Sequence, residues 1–254
     1  MKPLILVSGS SSGLGKYLTQ EFNALGLNRE NSRTIISNLK NACVDCIIHC
    51  AATASHGETL DEEQAMLSSN VDLTRTLLSI VHKKFIFISS VDVYPLDSSR
   101  EESQRISSEN SRNFYGKTKL LAEHLVLMYG NSSLVLRPSS LLGAAMKENS
   151  VLRILITPEK VGTKVFLSPQ SRFNFVSYSL MKGFVSVGIK QNLRGIFNLS
   201  SSSDIALQEI ASMFSKSVEY GTYNYNLGNI PNQKAVAFLP ALDVSSRDLL
   251  LNFH

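Results

Sequence analysis

Two kinds of segment alternate along the first 140 residues of this chain. Short runs of consecutive apolar residues are separated by longer stretches in which apolar residues recur every three or four positions. The short runs predict buried strands and the periodic stretches predict amphipathic helices. The predicted strands cover residues 4–8, 44–50, 85–89, 134–136 and, further on, 195–199. The predicted helices cover residues 13–25, 34–42, 61–82, 112–129, 175–188 and 204–215.

This alternation predicts an α/β fold: a Rossmann-like, doubly wound parallel sheet with helices on both faces. We expect residues 1–140 to form a dinucleotide-binding domain. Residues 141–254 should form mainly a small C-terminal substrate lobe, with some segments returning to the sheet. No clear strand fits between Gly26 and Val44, so the second strand of the sheet is expected to be shortened or missing.

Local capping and stop signals set the predicted boundaries. Gly26 is expected to end the first helix, and Ser32 to cap the second. Asp204 is the expected N-cap of the last predicted helix. The pair Arg137-Pro138 is expected to stop the strand at 134–136.

Composition and charge narrow the function classes. The chain has 254 residues, of which 43% are hydrophobic, enough for a sizeable core. The net charge of +4 comes without any basic run or aromatic-interleaved basic patch, so we expect no nucleic-acid partner. No apolar stretch has the length of a membrane span, and the N-terminus is typical of a buried strand instead of a signal peptide. A cytoplasmic protein without a membrane partner is expected.

The three cysteines raise the question of a metal site. Cys43, Cys46 and Cys50 lie close together in sequence, with His49 beside them. However, residues 46–50 form an apolar, strand-like run in which neighbouring side chains point to opposite faces. We therefore predict buried structural cysteines and no metal, and the odd count argues against a disulfide framework.

A loop rich in glycine and serine joins the first strand to the first helix. Gly9, Gly13 and Gly15 allow the backbone to approach a phosphate closely, and the following helix N-terminus offers free N–H groups and a partial positive charge. The alternative is a turn that binds nothing. The strand-turn-helix context favours dinucleotide binding. The predicted contacts come from Gly9, Ser11, Ser12, Gly13, Leu14 and Gly15.

Tyr115 and Lys119 share one face of a predicted helix because they lie four residues apart. A neighbouring ammonium group favours the phenolate and so lowers a phenol's pKa from about 10. With Ser90 as a second hydroxyl, the set suits proton transfer to and from a carbinol or carbonyl. On its own the spacing also fits an exposed tyrosine packed on a lysine stem.

Several segments, in the right order, resemble the extended short-chain dehydrogenase/reductases of the NAD-dependent epimerase/dehydratase family. They are VDCIIHCAA at 44–52, Asn70-Val71 with Thr74, FIFISSVDVY at 85–94, YGKTK at 115–119, Leu136-Arg137-Pro138 with Gly143, RFNFV at 172–176 and FNLS at 197–200. Leu73 replaces a glycine of the second segment, and the loop spacing G-x3-G-x-G is that of the single-domain enzymes.

The resemblance implies the roles of the site residues. Tyr115 would be the general acid/base, and Lys119 would lower its pKa and hold the nicotinamide ribose. Ser90 would bind the substrate oxygen that is oxidised or reduced; its neighbour Ser89 points to the other side of the strand, so Ser90 is favoured. Arg172 would contact a substrate diphosphate, or would be a surface arginine near the lobe junction.

The resemblance also implies further contacts with an NAD or NADP cofactor. These involve Ala51 and Ala52 after the third strand and Pro138 beside the nicotinamide. Asn70 would help to organise the site, or would simply be a polar helix residue.

The choice between NAD and NADP stays open in the sequence. An acidic residue about 20 positions after the glycine loop normally binds the adenosine ribose of NAD. Arg29 and Glu30 both lie near that region, and Arg29 is suited to a 2′-phosphate.

The expected function is that of an NAD(P)-dependent epimerase or reductase acting on a secondary alcohol or ketone, in a nucleotide-linked sugar by the resemblance. Dehydratases of the family carry Thr-Asp-Glu at the catalytic strand, where this chain has Ser90-Val91-Asp92, which argues against dehydration. The shortened lobe favours a non-sugar carbonyl as the alternative substrate. A third hypothesis is a non-catalytic, dinucleotide-binding sensor. The resemblance also implies a homodimer formed through the helices at 61–82 and 112–129.

Overall fold

The structure is a computed structural model that describes residues 2–55, 59–96, 98–144, 151–156, 163–215 and 217–253. Its strands are β1 (Ile5–Ser8), β2 (Leu25–Leu27), β3 (Cys46–His49), β4 (Phe85–Ile88), β5 (Leu134–Pro138), β6 (Ser140–Leu142), β7 (Thr163–Leu167), β8 (Arg172–Phe173), β9 (Phe175–Ser177), β10 (Gly195–Leu199), β11 (Ile205–Ala206) and β12 (Val218–Tyr223). Its α-helices are α1 (Gly13–Glu21), α2 (Ser32–Asn38), α3 (Leu60–Leu67), α4 (Leu73–Leu78), α5 (Phe114–Tyr129), α6 (Val151–Ile156), α7 (Tyr178–Lys190), α8 (Leu207–Met213), α9 (Gln233–Val236) and α10 (Ser246–Leu251).

The central sheet has six strands in the order β10-β5-β4-β3-β1-β2. Every pairing in it is parallel. From β1 the chain goes first to β2 on one side and then to β3 on the other. This reversal creates a crevice at the carboxyl ends of β1 and β3, where ligands bind in such sheets. The α/β, Rossmann-like prediction is confirmed.

The second strand is present but short. β2 lies at the sheet edge and pairs with β1 through Leu25 and Gly26, opposite Leu6 and Val7. The predicted helix at 13–25 is therefore wrong at its end, and Gly26 is not a helix stop. The helix finishes at Glu21 because Asn23, with φ of 46°, turns the chain into the strand.

The predicted helix at 61–82 begins at Leu60 and ends at Leu78. Thr59 caps it by accepting a hydrogen bond from the Glu62 amide. A π-helical turn, Ser68–Asp72, separates α3 from α4 and contains the buried Asn70. Such turns occur often at functional sites, and here the turn points a polar side chain into the protein.

Two predicted helices in the second half are wrong at their start. Residues 175–177 form β9, and α7 begins only at Tyr178, where Ser177 caps the Leu180 amide. The last predicted helix starts at Leu207, and its N-cap is Ala206. Asp204 does not cap it.

The other boundaries need smaller corrections. β5 continues through Arg137 and Pro138, because Pro138 pairs with Leu199 of β10. Asn113 caps α5, which therefore starts at Phe114. Asn31, instead of Ser32, is the N-cap of α2.

Of the four hydrophobic clusters among the described residues, the three largest hold the fold. One fills the sheet face covered by α1 and α7, and includes Val7, Ile48 and Phe184. The second fills the opposite face under α4 and α5, and includes Phe85 and Val126. The third lies among segments after β5 and packs β7, β9 and α8 together.

The cysteines are only partly as predicted. Cys46 is buried and Cys50 is half-buried, but Cys43 is exposed because it lies outside β3. Within the described residues, no three His, Cys, Asp or Glu side chains are grouped where they could hold a metal ion. In the same part of the chain, no helix has both the length and the apolar character that crossing a membrane requires.

Candidate active site

The glycine loop brings the end of β1 against the segment that follows β3. Gly9 has a φ of 76°, and a Cβ added to it would lie 2.9 Å from the Ala51 backbone nitrogen and Cα. A Cβ at Gly15, in the first turn of α1, would collide with the Gly9 carbonyl. Only glycine fits these two positions, so the loop and the helix start lie directly on the crevice.

The first turn of α1 is open to a ligand. Ser11 and Ser12 are exposed, and Ser12, the N-cap, makes no side-chain capping bond. Gly13 follows with a φ of 55°. The Leu14 side chain is buried in the core, so only its backbone can face the crevice. Free amides and hydroxyls at a helix N-terminus fit a dinucleotide pyrophosphate.

A buried chain of hydrogen bonds fixes the segment after β3. Ser8 Oγ accepts from the amides of Cys50 at 3.1 Å and Ala51 at 3.2 Å, so its own proton goes to His49 Nδ1 at 2.6 Å. Burial, and then the Lys119 charge, lower the pKa of His49 well below its usual value. A neutral His49 therefore helps to hold Ala51, while Ala52 is exposed at the crevice.

Asn70 links the crevice to the tyrosine helix. Its side chain accepts from the Thr53 amide at 2.8 Å and donates to the Thr53 carbonyl at 2.9 Å and to Thr118 Oγ1 at 2.9 Å. Thr118 in turn donates to the Tyr115 carbonyl at 2.8 Å. Asn70 is fully buried and joins three segments, so it is more than a polar helix residue.

The two serines after β4 face different surroundings. Ser89 is buried and donates to Glu123 Oε1 at 2.5 Å. Ser90 is half-buried and accepts from the Asp92 amide at 3.1 Å, which caps a 3-10 turn at Val91–Val93. The Ser89 side chain therefore points into the interior, which leaves the partly exposed Ser90 as the serine that can face a ligand in the crevice.

The helix α5 packs closely on this turn. A Cβ at Gly116 would collide with the Asp92 carbonyl, so Tyr115 can approach the Ser90 turn only because glycine follows it. Lys119 is buried, and its Nζ donates to the Ile88 carbonyl at 2.7 Å, two residues before Ser90. The end of β4 and one face of α5 thus form one cluster.

The electrostatics of the pair differ from the sequence expectation. Burial, and then the Asp92 carboxylate, raise the pKa of Tyr115 above its ordinary value. Burial lowers the pKa of Lys119 to about 7, against the opposing charge of Glu123. Without a ligand, the pKa of Tyr115 is thus raised, whereas the sequence predicted that Lys119 would lower it. The Lys119 ammonium is itself removed from water, which favours its neutral form.

Asp92 is a charged neighbour of the site that was not among the predicted site residues. Burial raises the pKa of its carboxyl, while Arg112 and a hydrogen bond from Ser90 lower it. Its charge also raises the pKa of Tyr225 in addition to that of Tyr115. Its place two residues after Ser90 was the only signal in the sequence.

The first residue after β2 is not the carboxylate that would bind the adenosine ribose of NAD. This residue is Asn28, and its Oδ1 accepts from the Glu30 and Asn31 amides at 2.9 and 3.1 Å. Arg29 is exposed, and its Nη2 lies 3.5 Å from Thr53 Oγ1, across the crevice in the segment after β3. A positive charge therefore lies where the adenosine ribose binds in Rossmann-like folds.

Two predicted residues lie outside β4 and α5. Pro138 is buried at the end of β5. Arg172, in β8, is 42% exposed at its side chain and forms a two-pronged ion pair with Asp204, with Nε–Oδ2 at 2.8 Å and Nη2–Oδ1 at 2.6 Å. This pair also explains why Asp204 is not a helix cap.

Comparison with known proteins decides the family. A sequence profile described as the NAD dependent epimerase/dehydratase family matches residues 5–167, more than half of the chain. The chain belongs to the NAD-dependent epimerase/dehydratase family. The resemblance carried by the sequence motifs is thereby confirmed.

One similar curated protein is methionine adenosyltransferase 2 subunit beta of Danio rerio. It is 24% identical over 230 residues, which are 81% of this chain and 71% of that protein.

Several solved structures share the fold. UDP-glucuronic acid 4-epimerase from Bacillus cereus, in complex with UDP-glucuronic acid and NAD, has a TM-score of 0.80 at 19% identity, covering 98% of this chain and 97% of that one. MoeE5 in complex with UDP-glucose and NAD has a TM-score of 0.78 at 18% identity, with coverage of 98% and 97%. RMD from Pseudomonas aeruginosa, complexed with NADPH, has a TM-score of 0.72 at 18% identity, with coverage of 98% of both chains.

Proposed function

We propose that this protein is an NAD(P)-dependent epimerase or reductase that acts on a secondary alcohol or ketone of a nucleotide-linked sugar. The observation that carries the proposal is the cluster formed by Ser90, Tyr115 and Lys119, held between the end of β4 and one face of α5. The family is NAD-dependent, and two similar structures are complexes with UDP-sugars.

The residues of the chain have separate tasks in this proposal. Ser90 binds the reacting oxygen, and Tyr115 takes or returns its proton. A nicotinamide, when bound, would supply the hydride chemistry at the carbon that carries this oxygen. Lys119, in its ammonium form, would hold the nicotinamide ribose and favour the phenolate, whereas burial and Asp92 raise the pKa of Tyr115. The first turn of α1 holds the pyrophosphate.

An epimerase and a reductase differ in what happens to the cofactor. An epimerase returns the hydride to its substrate and keeps its cofactor, whereas a reductase consumes one NAD(P)H in each turnover. The first experiment is therefore to denature the purified protein, identify any released dinucleotide, and titrate the emptied protein with NAD and NADP forms. Retained dinucleotide supports the epimerase. An empty protein that binds the reduced cofactor and oxidises it in the presence of substrate supports the reductase.

A reductase of a non-sugar carbonyl is the alternative within the same chemistry. The guanidinium of Arg172 already pairs with Asp204, so a diphosphate would have to share or displace that carboxylate. Assaying a panel of UDP-sugars against simple ketones separates the two substrate classes.

A non-catalytic subunit is the second candidate function. Two observations favour it: a relative is named as the beta subunit of another enzyme, and the pKa of Tyr115 is raised instead of lowered. Under this proposal the chain binds the dinucleotide and assembles with a partner enzyme. It predicts tight dinucleotide binding, no turnover on any panel, and no effect of Tyr115→Phe on assembly.

A further inference from the structure

A fully buried ion pair lies directly behind the proposed catalytic cluster. Glu123 is 1% exposed and Arg137 is 2% exposed. Arg137 donates from Nε to Glu123 Oε1 at 3.0 Å and from Nη2 to Oε2 at 2.6 Å. Ser89 also donates to Oε1, at 2.5 Å, so both carboxylate oxygens are used. The two-pronged geometry fixes both side chains.

The pair continues toward the segments that follow the sheet. Arg137 Nη1 donates to Tyr94 Oη at 2.8 Å, and Tyr94 Oη donates to Asn198 Oδ1 at 2.9 Å. The Asn198 amide group donates to the carbonyls of Arg100 at 2.8 Å and Pro231 at 3.0 Å. One buried network thus joins β4, α5, β5 and β10 to two connecting segments.

Three members of the network lie next to a proposed site residue in the chain or one helical turn from it. Ser89 immediately precedes Ser90, and Arg137 immediately precedes Pro138. Glu123 lies four residues after Lys119, on the same face of α5. Because successive strand residues point to opposite sides, holding Ser89 inward turns Ser90 toward the site.

Fold stability alone does not account for this arrangement. Removing two charges from water is costly, and an apolar pair of similar volume often stabilises a fold equally well. The network instead fixes the directions of groups that the proposed reaction needs.

We propose that Glu123, held by Arg137 and Ser89, is a positioning residue that directs Ser90 and, from one turn further along α5, favours the ammonium form of Lys119. This inference rests on the proposed function. It adds a residue that acts through others and does not itself touch the substrate.

The surroundings of Lys119 explain the second half of the proposal. Its Nζ lies 4.2 Å from the centroid of the Phe87 ring and donates to the Ile88 carbonyl. Burial lowers the pKa of Lys119 to about 7, while the charge of Glu123 raises it. The Cys50 thiol is neutral at that pH, because burial raises its own pKa to about 12. The third titratable neighbour, His49, is neutral because its own pKa is lowered. Removing the Glu123 charge should therefore move the Lys119 pKa further down.

The decisive experiment compares the double variant Glu123→Met/Arg137→Leu with the native protein. We expect the double variant to fold, because the pair is replaced by apolar groups of similar size. We expect kcat to fall by about 10²-fold, the usual effect of a misplaced reacting group, with a smaller change in KM. Native kcat in a folded double variant would show that the pair is only structural and would overturn the proposal.

Two single variants test the orientation of Ser90 and the charge of Lys119 separately. They also test the proposal if the double variant does not fold. Ser89→Ala should lower kcat without moving the Lys119 pKa. Glu123→Gln should move the Lys119 titration, followed by NMR of the labelled lysine side chain, to lower pH. Native kcat in Ser89→Ala would contradict the claim that Glu123 directs Ser90. An unmoved Lys119 titration in Glu123→Gln would contradict the claim that Glu123 favours the ammonium form of Lys119.

The control and the readouts keep this inference distinct from the proposed function. The exposed pair Lys164–Glu219, with Nζ and Oε2 2.8 Å apart, is removed by Lys164→Met/Glu219→Met and should leave kcat and titration unchanged. If the native protein turns over no substrate, the proposed function fails. The NMR titration still decides whether Glu123 controls the charge of Lys119.

Discussion

At the scale of single residues, the site combines groups whose pKa values are set mainly by burial. Lys119 and Tyr115 are shifted toward their neutral forms, and so is Asp92. For Lys119, with a pKa of about 7, the charged form predominates only below neutral pH. A bound anionic cofactor would favour that charged form and raise the pKa of Lys119, so binding should take up protons near neutral pH.

Arg29 is expected to select the cofactor. A carboxylate that would bind a ribose 2′-hydroxyl is replaced by Asn28, and the Arg29 guanidinium lies across the crevice near Thr53. Arg29→Ala should weaken binding of 2′,5′-ADP by about 10- to 100-fold, since a hydrogen bond to a charged group contributes about 1.5–3 kcal/mol. Calorimetric titration measures this directly.

The control for that prediction is Arg75→Ala, which removes another exposed arginine, on α4. Arg75→Ala should leave the affinities for 2′,5′-ADP and for 5′-AMP unchanged. Binding of 5′-AMP should not respond to Arg29→Ala, because it lacks the 2′-phosphate. Equal binding of 5′-AMP and 2′,5′-ADP by the native protein would remove Arg29 from cofactor selection.

At the scale of elements, the site depends on how closely α5 lies against the turn after β4. Gly116 allows this contact, because any Cβ there would collide with the Asp92 carbonyl. The π-helical turn and Asn70 hold the other side of α5 through Thr118. The catalytic helix is therefore located by packing and hydrogen bonds from two directions.

Gly116→Ala should separate α5 from the Ser90 turn. We expect a loss of about 1–3 kcal/mol in the free energy of unfolding, as for overpacked sites, and a fall in turnover of about 10²-fold. Denaturant titration and steady-state kinetics measure the two effects.

Gly183→Ala in α7 is the matched control, since its Cβ would meet only the Leu239 side chain, at 3.3 Å. It should keep full turnover. Undiminished turnover in Gly116→Ala would show that the close contact is not needed.

Elements whose residues follow a single hydrophobic pattern could be predicted from the sequence. Short elements that adjoin an element with another pattern could not. The buried runs of β1, β3 and β4 are apolar apart from Ser8 and His49 at the strand ends, so the sequence indicated buried strands there. β2 was missed because three residues directly after a helix do not establish a period of two. β9 was merged with α7 because Phe175 and Val176 continue the apolar pattern of the helix.

The site was predictable to a similar extent. Motifs indicated Ser90, Tyr115 and Lys119, since each lies at a recognisable spacing. The partners that fix them were not predictable: Glu123 and Arg137 meet only because α5 covers β5, and the direction of the Tyr115 shift depends on burial. Such contacts are determined by the packing of separate elements, which sequence spacing does not show.

At the scale of the whole molecule, the outer faces of α3 and α5 carry exposed apolar side chains. Leu60 is 83% exposed, Leu67 38%, Leu121 42% and Met128 71%. Scattered exposed apolar residues are ordinary, but here they lie on the two helices that the family resemblance implies for a dimer. We propose that two copies of this chain pack through these faces.

Leu121→Glu/Met128→Glu should convert that dimer into a monomer, because each interface would then bury unpaired negative charges. Sedimentation analysis measures the mass. Phe166→Glu alters an exposed apolar residue elsewhere, 64% exposed in β7, and should leave the mass unchanged. A native protein that sediments as a monomer at high concentration would contradict the proposal.

The central claim is that Tyr115 moves a proton while a hydride moves between substrate and nicotinamide. The most direct measurement is turnover of the native protein and of Tyr115→Phe, side by side, with NAD(P) and a panel of UDP-sugars. The account predicts measurable turnover that falls by about 10²–10⁴-fold in the variant, with dinucleotide affinity nearly unchanged. Equal turnover in the two proteins, or dinucleotide binding without turnover in either, would contradict it.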